Sequence, residues 1–275
     1  MNHRTRDNKH ASATGAKRSF QSILAQAIRI AGEEFARDFN TIRRRYYLII
    51  VRYVTPRGRF SMRVGILGSG GVGMALGKGF ATKGHDVMIG SRSPSKQELK
   101  DWLKTTKGKV STGTLAEAAA HGEVIVLCPV GEAALEVIDL ARPINFVGKT
   151  VIDVTNPLDF SAGMPPGLFV GTTDSLGEQI QRKIPEANVV KCFNIVGNSL
   201  MVDPLIKGEA PDMLIAGNDE GAKKKVTAIL HEFGWNSAID IGGIDGARWL
   251  EALAPLWVRL ASKLGSFDIA FKVLK

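Results

Sequence analysis

The chain has 275 residues, 44% of them hydrophobic and 23% charged, an ordinary globular composition that can bury a substantial core. No apolar run approaches the ~20 residues that span a bilayer, so no membrane span is expected; the two cysteines, Cys128 and Cys192, give no disulfide framework and suit a cytoplasmic, reducing compartment. The formal net charge of +9 raises nucleic acid as a partner, but 13 of the 36 Lys and Arg and only 4 of the 27 Asp and Glu fall in residues 1–61, which leaves 23 of each in 62–275 and no nucleic acid expected there.

Residues 1–20 are polar and basic and are expected to be disordered. Ile23, Ala27, Ile30 and Phe35 recur near helical spacing and suggest a short amphipathic helix over 21–39. The basic, aromatic stretch RRRYYLIIVRYVTPRGRF then runs to Phe60. It would suit an arm for nucleic acid or an acidic membrane, or an Arg-rich organelle leader. The favoured expectation is a dispensable extension with Met62 as the natural start, because a strand-like VGIL run follows Met62-Arg63 at once.

From Arg63 onward short apolar runs alternate with helical stretches. The runs VGIL (64–67), VMI (87–89), VIVLC (124–128), TVIDV (150–154), NVVKC (188–192), DMLIA (212–216) and AIDI (238–241) read as buried parallel strands. Helical patterns lie between most of them, at 72–83, 95–106, 114–121, 131–141, 174–184 and 219–233. The alternation predicts an α/β fold, a Rossmann-type doubly wound parallel sheet with a small C-terminal helical and strand extension. The last long pattern, 244–264, is a helix that Pro255 should kink. The expected division is a basic extension at 1–61, a dinucleotide-binding domain at 62–198 and a smaller substrate or dimer domain at 199–275.

Gly68-Ser69-Gly70-Gly71-Val72-Gly73 fits G-x-G-x-x-G between the first strand and first helix. Gly68 would allow the tight turn, Gly70 the approach of a pyrophosphate, and Gly73 the close packing of helix on strand. The helix start then turns its amides and positive dipole end toward the diphosphate. About twenty residues on, where an acid would hold the ribose of NAD, the second strand ends in Ser91-Arg92. A hydroxyl and a guanidinium suit the 2′-phosphate of NADP, and Lys96 could add charge. NADP(H) is therefore the expected cofactor.

The segments MRVGILGSGGVGMALGKGFATKGHDVMIGSR, VIVLCPV, VIDVTNPL, VVKCFN and GARWLEALAPLWVRLASKLG occur in that order, followed by GSFDIAFKVL. Together they resemble the F420-dependent NADP oxidoreductases, to whose broad superfamily the NADPH-binding domain of the six-transmembrane ferric reductases also belongs. The resemblance covers about 62–275 and implies hydride exchange between NADP(H) and F420, a flavin or a similar small redox acceptor. It places Cys128, Pro129 and Val130 along the cofactor channel and Asn156, between Thr155 and Pro157, near the nicotinamide. Asn194, Ile195 and Val196, after Phe193, would form the floor under the second ring. Two departures from the family pattern fall on that acceptor side: Val130 stands where an aromatic residue tends to follow the proline, and Asn194 where a histidine occurs in some members.

Ring-to-ring hydride transfer needs stacked, water-shielded rings and no dedicated acid/base pair, and no such pair is evident. No catalytic side chain and no metal ligand set is assigned. Two alternatives stay open: a carbonyl or imine reductase of the pyrroline-carboxylate or β-hydroxyacid type, with Arg248, Glu251 and Lys263 as candidates, and a non-catalytic NADPH-binding regulatory module. Both cysteines are expected in the core, Asp153 and Asp159 in ionic or capping roles, and Lys223 to Lys225 on a solvated helix face. Trp249 and Trp257 are expected to share a core or dimer face, and a homodimer through Leu250, Leu253, Leu256, Trp257 and Leu260 is conceivable.

Overall fold

The structure, a computed structural model, describes residues 61–274, and the expectations for 1–60 lie outside them. Residues Phe60–Lys275 form one compact unit. In chain order it contains β1 (Arg63–Leu67), α1 (Gly71–Lys83), β2 (Asp86–Gly90), α2 (Gln97–Thr105), β3 (Lys109–Gly113), α3 (Leu115–His121), β4 (Val124–Leu127) and α4 (Ala134–Ala141). Then come β5 (Thr150–Asp153), a hairpin of β6 (Leu158–Asp159) and β7 (Gly167–Leu168), α5 (Leu176–Lys183) and β8 (Asn188–Lys191). The chain ends with β9 (Asp212–Gly217), α6 (Glu220–Glu232), β10 (Ser237–Asp240) and α7 (Ala247–Leu264).

The main sheet has the order β10-β9-β8-β5-β4-β1-β2-β3. From β3 to β8 every pairing is parallel, the doubly wound arrangement the alternation predicts. Each of β1, β4, β5 and β8 is almost entirely buried because helices cover both faces. One face packs Ile66, Phe80, Leu99, Val190 and Phe233; the other packs Leu67, Ile125, Leu127, Val151 and Ile180.

Two features differ from expectation. β9 is antiparallel to β8, and β10 runs parallel to β9, so the sheet is mixed at its end. A parallel neighbour needs a crossover, usually a helix; the link from Lys191 to Asp212 holds only a 3-10 turn at Asn198–Leu200, and the chain returns in the opposite direction. β3 was not anticipated, because KVSTG is a polar, mostly half-buried edge strand without an apolar run.

Helix ends follow their sequence. Thr114 and Glu117 form a reciprocal capping box at α3, and Ser175 and Asp219 cap α5 and α6. Gly84, with φ 98°, closes α1 in a left-handed turn. Pro255 lies inside α7, which continues through it as a single helix. Lys223 corrects the expected solvated run: the register of α6 turns it inward beside Ala222 and Val226, and its ammonium meets Glu220 and Asp240 at 2.7 Å each.

Candidate functional site

The glycine turn joins β1 to α1 at the carboxyl edge of the sheet. Gly68 has φ 138°, and a Cβ there would lie 2.8 Å from the Cys128 carbonyl oxygen. A Cβ on Gly73 would lie 2.0 Å from the Gly68 carbonyl oxygen, so helix and turn are in backbone contact. A Cβ on Gly70 would meet nothing within 4 Å. Gly70 N-caps α1 without a side-chain cap, leaving the first turn's amides to face that open space.

Hydrogen bonds stitch the end of β2 to this turn. Gly68 N–H donates to the Gly90 carbonyl at 3.2 Å, the Ser69 hydroxyl meets the Ser91 hydroxyl at 3.0 Å, and Lys96 Nζ donates to the Ser69 carbonyl at 3.0 Å. Ser91 is buried, and its Oγ also accepts from Ser93 N–H at 3.1 Å. Arg92 is exposed and has no ion-pair partner among the described residues. Gly68, Ser69, Gly70, Gly71, Val72, Ser91, Arg92, Lys96, Cys128, Pro129 and Val130 all line one cavity of about 540 Å³. Gly73 packs beneath it. Burial pushes the Cys128 thiol up to about 12, so it is protonated at neutral pH and acts as packing under the turn. Burial raises Cys192 as well.

Asn156, Asn194, Ile195 and Val196 form a separate cluster at the ends of β5 and β8 and do not line that cavity. Asn156 Nδ2 donates to the Asn194 carbonyl at 2.6 Å, and Asn194 Nδ2 donates to Asn156 Oδ1 at 2.9 Å and to the Leu250 carbonyl at 2.8 Å. With both acceptors taken by its Nδ2, Asn194 presents Oδ1 as a buried acceptor without a partner among the described residues. Phe193 makes this possible by turning the chain at φ 63°, a strained value held by the packing of its ring against Phe233 and Trp235. Ile195 and Val196 are buried. The following loop reaches back to the glycine turn: a Cβ on Gly71 would lie 3.0 Å from Asn198 Nδ2.

The sequence reading missed a buried ion cluster beneath the asparagine pair. Lys191 Nζ lies 2.9 Å from Asp153 Oδ2 and 2.6 Å from Glu251 Oε1, with all three side chains at most 2% exposed. Asp153 Oδ1 accepts from Thr155 N–H at 2.9 Å and from its hydroxyl at 2.7 Å. The Glu251 carboxylate accepts from Leu176 and Gly177 N–H at 2.9 Å each, at the start of α5. Burial works against the Lys191 ammonium, but the two carboxylates outweigh it and hold its pKa above the ordinary value. The sequence signals were the ionic role expected of Asp153, which the structure shows, and a lysine inside the apolar NVVKC run.

On α7, Arg248 pairs with Glu178. Trp257 donates its indole N–H to the Ile269 carbonyl at 3.1 Å, whereas Trp249 is 60% exposed, so the two do not share an environment. Eight residues amount to about 800° of helix, about 80° past two turns, so the difference comes from the C-terminal segment, where Phe267 and Ile269 cover Trp257. Leu250 lies fully in the core; the exposed row on α7 is Trp249, Leu256, Leu260 and Leu264.

The family described as NADP oxidoreductase, coenzyme F420-dependent, matches residues 63–157. The F420-dependent NADP reductase of Methanocaldococcus jannaschii is 31% identical over 221 residues, covering 77% of this chain and 98% of that protein. A solved structure from Arthrobacter sp. FB24, described as a candidate F420-dependent NADP reductase, is 39% identical with a TM-score of 0.75, and the alignment covers 78% of this chain and all of that one. Metalloreductase STEAP3 of Rattus norvegicus is 28% identical over 200 residues, which are 71% of this chain but 38% of that protein.

Proposed function

The chain belongs to the F420-dependent NADP reductase family, and from that premise we propose that it transfers hydride between NADPH and F420 or a closely similar flavin-like acceptor. The observation that carries this reading is the meeting, in one cavity, of an open glycine turn and the cations Arg92 and Lys96 at the strand end where an acid would select NAD. In this reading Gly68 to Val72 receive the diphosphate at the start of α1, with Gly73 keeping helix and turn in contact. Ser91, Arg92 and Lys96 hold the 2′-phosphate, while Cys128, Pro129 and Val130 wall the channel. Asn156 faces the nicotinamide side, and Asn194, Ile195 and Val196 support the acceptor. NADPH bound there supplies the hydride; the protein's task is to hold two rings face to face and exclude water. Residues 62–198 thus carry the cofactor and 199–275 close the acceptor side.

A carbonyl or imine reductase would need a group that gives a proton to the substrate's oxygen or nitrogen. Of the three candidates on α7, Arg248 is paired with Glu178, Glu251 is buried against Lys191, and Lys263 is exposed in the last turn, so two of them do not favour that alternative. No helix among the described residues is long and apolar enough to cross a membrane, and two cysteines held as thiols suit the cytoplasm. The exposed row on α7, beside Phe169 and the β7 hairpin strand it packs against, suits a second copy of this chain as partner. Elution as a monomer in size-exclusion chromatography would remove that partner.

The deciding experiment follows NADPH oxidation over a panel of F420, FMN, FAD, small carbonyls and imines. Rapid turnover with F420 is expected. Turnover confined to carbonyls or imines would replace this reading with the reductase alternative, and tight NADPH binding without turnover would indicate a regulatory module.

A further inference from the structure

The geometry points to Asp153, Lys191 and Glu251 as positioning residues, a buried ion cluster that sets the pose of the Asn156–Asn194 amide pair. The inference rests on the placement of that pair at the acceptor side of the site proposed above. Three chain segments supply the pair and its anchors, and each is held by one member of the cluster. Asp153 binds Thr155 through two hydrogen bonds, and Thr155 immediately precedes Asn156. Glu251 follows Leu250, whose carbonyl receives Asn194 Nδ2. Lys191 stands at the end of β8, three residues before Asn194, and in the parallel register is the direct partner of Asp153. Lys191 then ties Asp153 and Glu251 to each other.

A cluster of this kind is an expensive way to stabilise a fold. Taking each ion out of water costs several kcal/mol, and well-packed apolar replacements are often as stable or more so. What the ions provide is direction: Glu251 is fixed by two backbone amides of α5, so α7 can sit at one height on the sheet. That height sets the Leu250 carbonyl, which with Asn156 Oδ1 fixes the rotation of the Asn194 amide and aims its unpartnered Oδ1. The cluster is assigned no proton-transfer step, since all three side chains are sealed from solvent and each charge is met by an opposite charge or by backbone amides.

The test compares Thr155→Val, Glu251→Gln and Lys191→Met/Glu251→Gln in the full chain. NADPH affinity is read by fluorescence, kcat and KM with F420, and hydrogen exchange over residues 68–74 and 192–198. Thr155→Val keeps the side-chain volume and guards against variants that fail to fold. The expected result is NADPH affinity within about threefold of wild type with kcat reduced roughly 10- to 100-fold, the scale of a misplacement near 1 Å. Exchange should rise at 192–198 and not at 68–74. In an Asn194→Ala background the same substitutions should lower kcat by no more than about twofold further, because they act through that residue. Folded variants that keep kcat, lose NADPH affinity in parallel, or leave exchange at 192–198 unchanged would overturn the inference, as would losses that multiply with Asn194→Ala. If wild type turns over no deazaflavin or flavin, the functional proposal fails, and the exchange readout still decides whether the cluster holds the amide pair.

Discussion

Gly70→Ala and Gly73→Ala separate a glycine that serves a ligand from one that serves the fold. At Gly73 a methyl would lie 2.0 Å from the Gly68 carbonyl oxygen, a backbone atom that cannot rotate away. Relief requires α1 to move off the turn, so the melting temperature should fall sharply or the protein should fail to fold. At Gly70 the backbone angles, φ −86° and ψ −174°, are open to alanine, and the methyl meets nothing. The smaller unfolded-state entropy of alanine favours the variant by ~0.4–1 kcal/mol, and the poorer N-cap costs up to about as much. At ~2–4 °C per kcal/mol for a chain of this size, the melting temperature should stay within about 2 °C. NADPH binding should nevertheless weaken at least about tenfold, the equivalent of ~1.4 kcal/mol, because the methyl fills the room the diphosphate needs. Differential scanning fluorimetry and NADPH fluorescence titration read the two effects separately. Gly70→Ala with native stability and native NADPH affinity would refute the assignment of the turn to the diphosphate.

Arg92→Ala should weaken NADPH by roughly tenfold, at the lower end of ~1.5–3 kcal/mol for a charge-assisted contact because the side chain is exposed, and should leave NADH nearly unchanged. Equal losses for the two nucleotides, measured by titration in low salt, would remove Arg92 from the 2′-phosphate site. The hydrogen bond from Arg248 holds the Glu178 carboxyl below its usual range. A depressed carboxyl contributes stability above its unfolded value, near 4.5, and loses it as the pH falls through the folded value. Arg248→Ala should therefore lower the melting temperature more at pH 7 than at pH 3, and a pH-independent loss would show that the pair does not join α5 to α7 through charge. Cys128 should resist iodoacetamide at pH 8 in the folded protein, since its thiol titrates only near 12. Rapid alkylation would expose the loop above it as open.

The parts of the fold legible in the sequence are those where burial writes a local pattern. β1, β4, β5 and β8 are flanked by helices on both faces, and each is centred on an apolar run, unbroken in β4 and bounded by Asp153 in β5 and Lys191 in β8. β3 pairs on one side only, so nothing forces its residues to be apolar, and it left no trace. Strand direction is equally silent. DMLIA announces a buried strand, whereas AIDI, expected buried, is half-buried at the sheet edge as β10 because it pairs on one side only. Parallel and antiparallel pairing bury the same side chains, and only the missing helix between β8 and β9 carries the difference.

The two halves of the site differ in the same way. The proposed cofactor half centres on one βαβ unit, from Gly68 to Lys96, where backbone demands at the turn restrict the choice to glycine at fixed spacing, so a motif survives in the sequence. The proposed acceptor half is built from β5, β8 and α7, whose hydrogen-bonded contributions lie 38 to 56 residues apart. Its asparagines obey no spacing rule, and the lysine beneath them reads as a stray polar residue in a strand. That lysine stays charged while fully buried because two carboxylates meet it. A charged residue in an otherwise apolar central strand thus implies carboxylate partners brought from elsewhere in the chain. Here those partners are Asp153 on the neighbouring strand and Glu251 on α7.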